Sequence, residues 1–567
     1  MAKITKILFL TGLVSALSAC GGGAGNVESD SNPTPSASPT IAAALAVAAL
    51  PPSEVANVAD DGPLNAEDAY RLVEQTTFGP TMSDIEYASR LGPNAWIDQQ
   101  MLQSPTLLSD TLRQLDTSRW NEYVNAWWRQ VIQSDDQLRQ RVAFALSEIL
   151  VVSAHDGLSS EQFGMSGYYD ILIRNAFGNY RQLLEEITLN PVMGEYLSMK
   201  GNRKPEVSEN IQPDENYARE LLQLFSIGQV LLNDDGSAQL DDGGVPLPSY
   251  NQTTIENFAR VFTGWHFANA EDFRWPQNKD YLSPMTAWQD YHDTEAKTLL
   301  LGVETPAGQT AEEDLAAALD NVFNHPNVGP FISKQLIQRL VTSNPSPEYV
   351  RDVTAVFNSN IDGVRGSLGS VVKAILMHKE ARSGHIDAPE TFGKIREPLL
   401  RLSHVWRAFE PSSIHYDFNY SWVENELSQS PLNSPSVFNF FRPDFSQPGE
   451  ISSRGLNSPE FQIMDESSII TITSRLLAST IWSHNYKSDI EPSRLTIDIS
   501  DEMNMMSNSD ELLDHLNLLL IGGRMSSELR DEVSSLMSAR DYDGSESQRV
   551  VEAIYLIASS PEAALQF

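Results

Sequence analysis

The chain is poor in cysteine, in positive charge and in long apolar runs. Its 567 residues include one cysteine, Cys20, and 39 Lys plus Arg against 76 Asp plus Glu, a formal charge of −37. A single thiol excludes an intramolecular disulfide and a cysteine-based zinc site. The acidic excess repels phosphate backbones, so nucleic acid is not expected as a partner. No apolar run approaches the ~20 residues that a membrane-spanning helix needs. Familiar catalytic signatures are missing as well: there is no His-Glu-x-x-His, no Gly-x-Ser-x-Gly, no P-loop and no dinucleotide-binding glycine pattern. Ser370-Val371-Val372-Lys373 has a Ser-x-x-Lys spacing, but it falls inside an amphipathic helix and lacks companion motifs. The acidic turns Asn233-Asp234-Asp235-Gly236 and Asp241-Asp242-Gly243 do not have EF-hand spacing.

The lone cysteine has a context. Lys3 and Lys6 precede a short apolar run, and Leu17-Ser18-Ala19-Cys20 closes it. Residues 1–19 therefore read as a secretory signal. The ending resembles a bacterial lipobox, in which the signal is cut before the cysteine and the sulfur is lipidated. That resemblance implies attachment to a membrane through Cys20. Gly21, rather than an acidic residue, implies the outer membrane of the cell envelope, facing periplasm or surface. Residues 20–62 are rich in Gly, Ser, Pro and Ala and read as a flexible tether. The apolar stretch 41–50 is too short to span a bilayer.

From residue 63 to 567 the pattern is helical. Apolar residues make up 41% of the chain and aromatics 9%, enough for a sizeable core. Asn65 with Asp68 marks a capped helix start, Gly79-Pro80 a stop, and Thr81 or Ser83 the next cap. Val142, Leu146 and Ile149, then Ile332, Leu336 and Leu340, recur at helical spacing. Phe392, Ile395, Leu399, Leu402, Trp406 and Phe409 form a heptad-like stripe, with Pro398 either kinking that helix or starting it. Val230 to Leu232 before Asp235-Gly236 is the clearest hairpin signal. The expected class is mainly α: one large multi-helix domain with at most a few short strands. Residues 266–313 interrupt it with a long aromatic loop containing Phe267, Phe273, Trp275, Tyr281, Trp288 and Tyr291, which reads as a packed insertion over a pocket.

Several motifs agree in order with one family. They include Thr77-Phe78-Gly79-Pro80, Asn175-Ala176-Phe177-Gly178-Asn179-Tyr180-Arg181 and Asn190-Pro191-Val192-Met193-Gly194. Asp214-Glu215-Asn216-Tyr217-Ala218-Arg219-Glu220-Leu221-Leu222 follows, then Phe262-Thr263-Gly264-Trp265 and His292-Asp293 with Lys297. His325-Pro326-Asn327-Val328-Gly329, Arg396-Glu397-Pro398 and Pro435-Ser436-Val437-Phe438-Asn439-Phe440-Phe441 complete the series. From about residue 64 onward the chain resembles the bacterial domain of unknown function 1800 (DUF 1800) family. The resemblance implies an exported, largely helical protein without an agreed reaction. Members often sit beside genes for an exported sulfatase-like protein, which implies a partner.

The candidate chemistry gathers on a few residues. On a helix of about 100° per residue, Tyr217, Leu221, Leu224 and Phe225 share a face and Glu220 falls at its margin, one turn after Asn216. A carboxylate there needs a cation, a metal or hydrogen-bond donors. His292 and Asp293 close the aromatic loop, and His suits proton transfer or metal ligation near neutral pH. His266, after Trp265 at the loop's start, could meet His292 in space. Arg396 opens a helix and could neutralise Glu220 or bind an anion. Two readings follow. In the first the protein binds an extracytoplasmic substrate or partner, with Asn216, Trp265, His266, Trp288 and Arg396 at the binding surface. In the second it is a hydrolase using Glu220, His292 and Asp293 as acid–base groups or around a divalent metal.

Overall fold

The computed structural model describes residues 58–59, 61–115, 117, 122–410, 424–482, 497–540 and 542–567. Cys20, the signal segment and the tether up to residue 57 lie outside the described residues. The last residues before the domain are already bonded to it: the Ala59 N–H donates to Met377 O at 2.9 Å and the Asn94 N–H to Asp61 Oδ1 at 3.0 Å.

The class is mainly α. Strands among the described residues are two residues long and form three antiparallel ribbons: Trp265–His266 with Thr286–Ala287, Lys297–Thr298 with Glu304–Thr305, and Lys394–Ile395 with Leu565–Gln566. Helix starts follow local chemistry. Asn65 Oδ1 accepts from the Asp68 N–H at 2.7 Å, opening Ala66–Thr76, and Thr81 Oγ1 caps Met82–Leu91. Thr310 and Glu313 form a capping box that opens Ala311–Phe323. Between Gly228 and Gln252 the chain forms a set of single β-bridges, Val230 with Pro248 and Leu232 with Ala238, turning at Asp235-Gly236 as its sequence suggests.

The stripe from Phe392 is not one helix. Helix Pro398–Ala408 starts at the proline, whose missing N–H and fixed φ suit a first turn, while Lys394–Ile395 is extended and pairs with Leu565–Gln566. Phe392, Leu399, Leu402, Trp406 and Phe409 of the stripe are nevertheless buried, and Ile395 is half-buried. Ser370 and Lys373 do not meet: Lys373 Nζ pairs with Asp98 Oδ1 at 2.5 Å, and Ser370 Oγ bonds Asn360 and Ser367.

One core runs through the described unit. Phe78, Trp127, Trp128 and Trp406 are linked edge to face, with ring centroids 5.4, 5.2 and 5.1 Å apart. This chain of rings packs the Thr77–Pro80 stop against helices Glu122–Gln133 and Pro398–Ala408. Gly79 (φ 144°) makes that approach feasible, since a Cβ there would sit 2.4 Å from His404 Cα.

Candidate functional site

The His292-Asp293 turn is held by charge on every side. Arg260, from helix Gln252–Val261, grips Asp293 with two bonds of 2.8 and 3.0 Å. Lys297 Nζ donates to Asp293 O at 2.6 Å, Glu295 O at 2.9 Å and Asp314 Oδ2 at 2.5 Å. His292 Nε2 lies 3.0 Å from Asp314 Oδ2 and Nδ1 lies 3.0 Å from Thr263 O. Both ring nitrogens thus face acceptors, because the Thr263 hydroxyl already donates to Arg260 O. Burial alone would raise the Asp314 carboxyl, but the bonds from His292 and Lys297 outweigh it and hold it below the usual carboxylate range. Burial and the Arg260 fork act on Asp293 in the same opposed way, with the same net direction. His292 and Asp314 are 0% exposed. Gly264 (φ 84°) completes the turn: a Cβ there would lie 2.9 Å from Trp288 O and 3.0 Å from His292 Cβ.

The aromatic segment packs on itself. Phe273 stacks on Tyr291 at 4.0 Å and 8°, and Trp288 and His266 close on Phe273 at 5.8 and 5.2 Å. Phe267 meets Tyr281 at 4.9 Å, with Lys200 Nζ 4.5 Å above its ring. Trp265 is buried, and its O accepts from the Gly201 N–H. Four clefts among the described residues, of about 720, 700, 370 and 250 Å³, are lined by other residues. His266 Nδ1 accepts from the Phe267 N–H at 2.8 Å, and burial with Lys200 nearby lowers its pKa to about 4. That depression lies below the ordinary value of about 6.5 for an unfolded histidine. Its contribution to stability is therefore complete above about pH 6.5 and is lost as pH falls toward 4. Melting temperature should drop over that window in the wild type and drop less in His266→Gln; equal slopes would show that His266 does not titrate this way.

The sequence-derived candidates do not converge on one cavity. Tyr217 packs edge to face on Phe262 at 5.0 Å, so the Asn216–Gln223 helix and the Thr263 turn share a wall. Glu220 is buried with Oε2 unpartnered among the described residues, and desolvation raises its pKa against the opposing charge of Arg219. Asn216 is exposed, its N–H donating to Asp214 Oδ1. Arg219 pairs with Glu215 at 2.8 Å. Arg396 does not neutralise Glu220. Its guanidinium bonds Glu74, the Tyr70 hydroxyl at 2.7 Å, His404 Nδ1 at 2.8 Å and Ala563 O at 3.1 Å. Glu74 comes from helix Ala66–Thr76, far away in sequence. Among the described residues, no group of three or more His, Cys, Asp or Glu side chains is arranged as metal ligands.

Sequence reasoning missed the most heavily charged buried network. Glu148, Glu397 and Glu460 meet Arg141, Arg339 and Lys394 in the interior, all six buried. Lys394 Nζ lies 3.1 Å from Glu460 and 3.5 Å from Glu397; Arg339 Nε lies 3.6 Å from Glu148. Gln429 donates to Glu397 Oε2 at 2.6 Å and to Glu148 Oε1 at 3.4 Å. Burial and the neighbouring Glu397 charge raise Glu148 well above the usual range. Glu397 is lowered despite burial, because Lys394, Arg141 and Gln429 favour its anion. Lys394 and Glu460 also line a cleft of about 370 Å³. The available signal was charge on apolar stripes: Arg141 and Glu148 lie seven apart in a strongly apolar run, and Arg339 adjoins Leu336 and Leu340.

One family model, described as a protein of unknown function (DUF1800), matches residues 71–565. No curated protein and no solved structure matches the chain.

Proposed function

Because the chain belongs to the DUF1800 family, whose function is unknown, its role must be read from its own surfaces, and we propose that it is an extracytoplasmic assembly protein. It is held to the outer membrane through Cys20 and binds an exported sulfatase-like partner at the crown of its aromatic segment. The observation that carries this reading is Trp275. It is 78% exposed, yet it sits on a braced support. Asp272 Oδ1 accepts from the Arg274 and Trp275 N–H groups at 2.8 Å, and Arg274 reaches Glu209 at 3.0 Å. Glu209 in turn pairs with Arg203, next to Val207, which is 88% exposed. An exposed tryptophan on a rigid base is the usual form of an interface anchor. The alternative, a hydrolase at Glu220, His292 and Asp293, has less behind it. His292 and Asp293 are sealed by their own partners, and Arg396 is committed to Glu74.

The test is direct titration of the purified neighbouring sulfatase-like protein. Trp275→Ala should weaken binding at least about tenfold, a loss of about 1.4 kcal/mol, with an unchanged melting temperature. Cys20→Ser should move the complex from membrane to soluble fractions. No binding by the wild type, or equal binding by Trp275→Ala, would overturn the proposal.

A further inference from the structure

A cleft of about 720 Å³ opens beside helices Met82–Leu91 and Pro93–Leu102, at the ends of Glu122–Gln133 and Pro398–Ala408. That volume falls within the roughly 300–1,000 Å³ range of small-ligand sites. Five of its sixteen described lining residues are glutamines. The carbonyl of Gln99 accepts from the Tyr87 hydroxyl at 2.6 Å, and that of Gln100 from the Leu138 N–H at 3.2 Å. Their NH2 groups have no partner among the described residues, and neither end of the Gln103 or Gln133 side chain has one.

Charge narrows the ligand class. Arg407 is the one cation among the described lining residues, and each of its three nitrogens is engaged: by Gly79 O at 2.7 Å, Ile132 O at 2.9 Å and Asp84 Oδ2 at 3.0 Å. Among the described lining residues, therefore, no free cation is left to hold a phosphate, sulfate or carboxylate. Asp135 and Glu410 are exposed carboxylates in the same lining and would repel such an anion. Glu410 is held at φ 33°, a backbone region that a non-glycine residue adopts only under constraint and that recurs at ligand sites.

We propose that this cleft binds an uncharged oligosaccharide. A sugar hydroxyl both donates and accepts, so it pairs with either end of an amide, and a carboxylate accepts from it strongly. Tyr87 is 36% exposed, braced edge-on by Trp96 at 6.1 Å with Arg90 5.9 Å from its ring centroid, and it offers an aromatic surface to the C–H face of a sugar ring. The site is separate from the Trp275 surface, and neither assignment depends on the other.

The test is calorimetric titration of the full chain with cellohexaose, maltohexaose, laminarihexaose and chitohexaose, with dextran sulfate and hexalysine as charged probes. At least one neutral oligosaccharide should bind, with an affinity that is the same at low and high salt. Tyr87→Ala and Gln103→Ala should each weaken that binding about tenfold or more. Gln103 makes no side-chain bond among the described residues, so its variant reports on the site with little effect on the fold. Binding by none of the four, binding that Gln103→Ala leaves unchanged, or binding by dextran sulfate or hexalysine alone would each overturn the proposal.

Discussion

Asp314→Ala is expected to lower folding stability by about 3–5 kcal/mol, measured by urea unfolding at pH 7. The carboxylate is fully buried and serves two donors at once, Lys297 and His292. Removing it leaves a buried ammonium with the carbonyl oxygens of Asp293 and Glu295 and, 4.0 Å away, the Asp293 carboxylate that Arg260 already holds. Asp314→Asn keeps the volume and one acceptor, so it should cost less than alanine. The pH dependence has a definite sign. The folded-state pKa lies below the unfolded value of about 3.9, so this contribution is present above about pH 4 and is lost as pH falls further. A loss under about 1 kcal/mol for Asp314→Ala would mean that water replaces the carboxylate and that the turn is not sealed.

The second large effect separates two glutamates that sit in one network. Glu397→Ala should cost about 3 kcal/mol, because Gln429 loses its charged acceptor in the interior and Lys394 and Arg141 lose a buried counter-charge, Lys394 keeping only Glu460. Glu148→Gln should cost only about 1 kcal/mol or less at pH 7. Burial and the Glu397 charge push the Glu148 carboxyl upward and favour its neutral form, so a neutral amide of the same shape suits the site. Because its folded-state pKa is raised, the Glu148 contribution is complete below the unfolded carboxyl range and declines as pH rises through the folded value. Paired denaturation curves at pH 5 and pH 8 should therefore bring Glu148→Gln closer to wild type, or above it, at the higher pH. Equal losses for the two variants would show that both carboxyls are ionised.

Local features were legible in the sequence. The caps at Asn65 and Thr81, the helical stripes around Leu336, the Asp235-Gly236 turn and the Glu215–Arg219 pair depend on residues within a turn of each other. The family resemblance was legible for the same reason, since its motifs are short runs in a fixed order. The stripe from Phe392 misled because extended residues that enter a core can mimic a helical period for two turns. Pro398 was the correct cue that helix starts there. Partnership over long separations was not legible. Nothing near Arg396 in sequence points to Glu74, 322 positions earlier. The Glu148 network draws on positions 141, 148, 339, 394, 397, 429 and 460, so only the packed chain brings its charges into balance. Glu220, read at the margin of an apolar helix face, is buried, and so is His292 at the end of the aromatic loop, but burial alone does not make two groups one site.

The Arg396 guanidinium touches the beginning and the end of the folded unit together, bonding Tyr70 and Glu74 on one side and Ala563 O on the other. The ribbon of Lys394–Ile395 with Leu565–Gln566 closes beside it. Contacts this far apart in sequence close a very large loop, a cost that weighs on folding rate more than on stability. One side chain therefore couples the helix that opens the folded unit to the ribbon beside it, and a substitution at Arg396 would loosen both together.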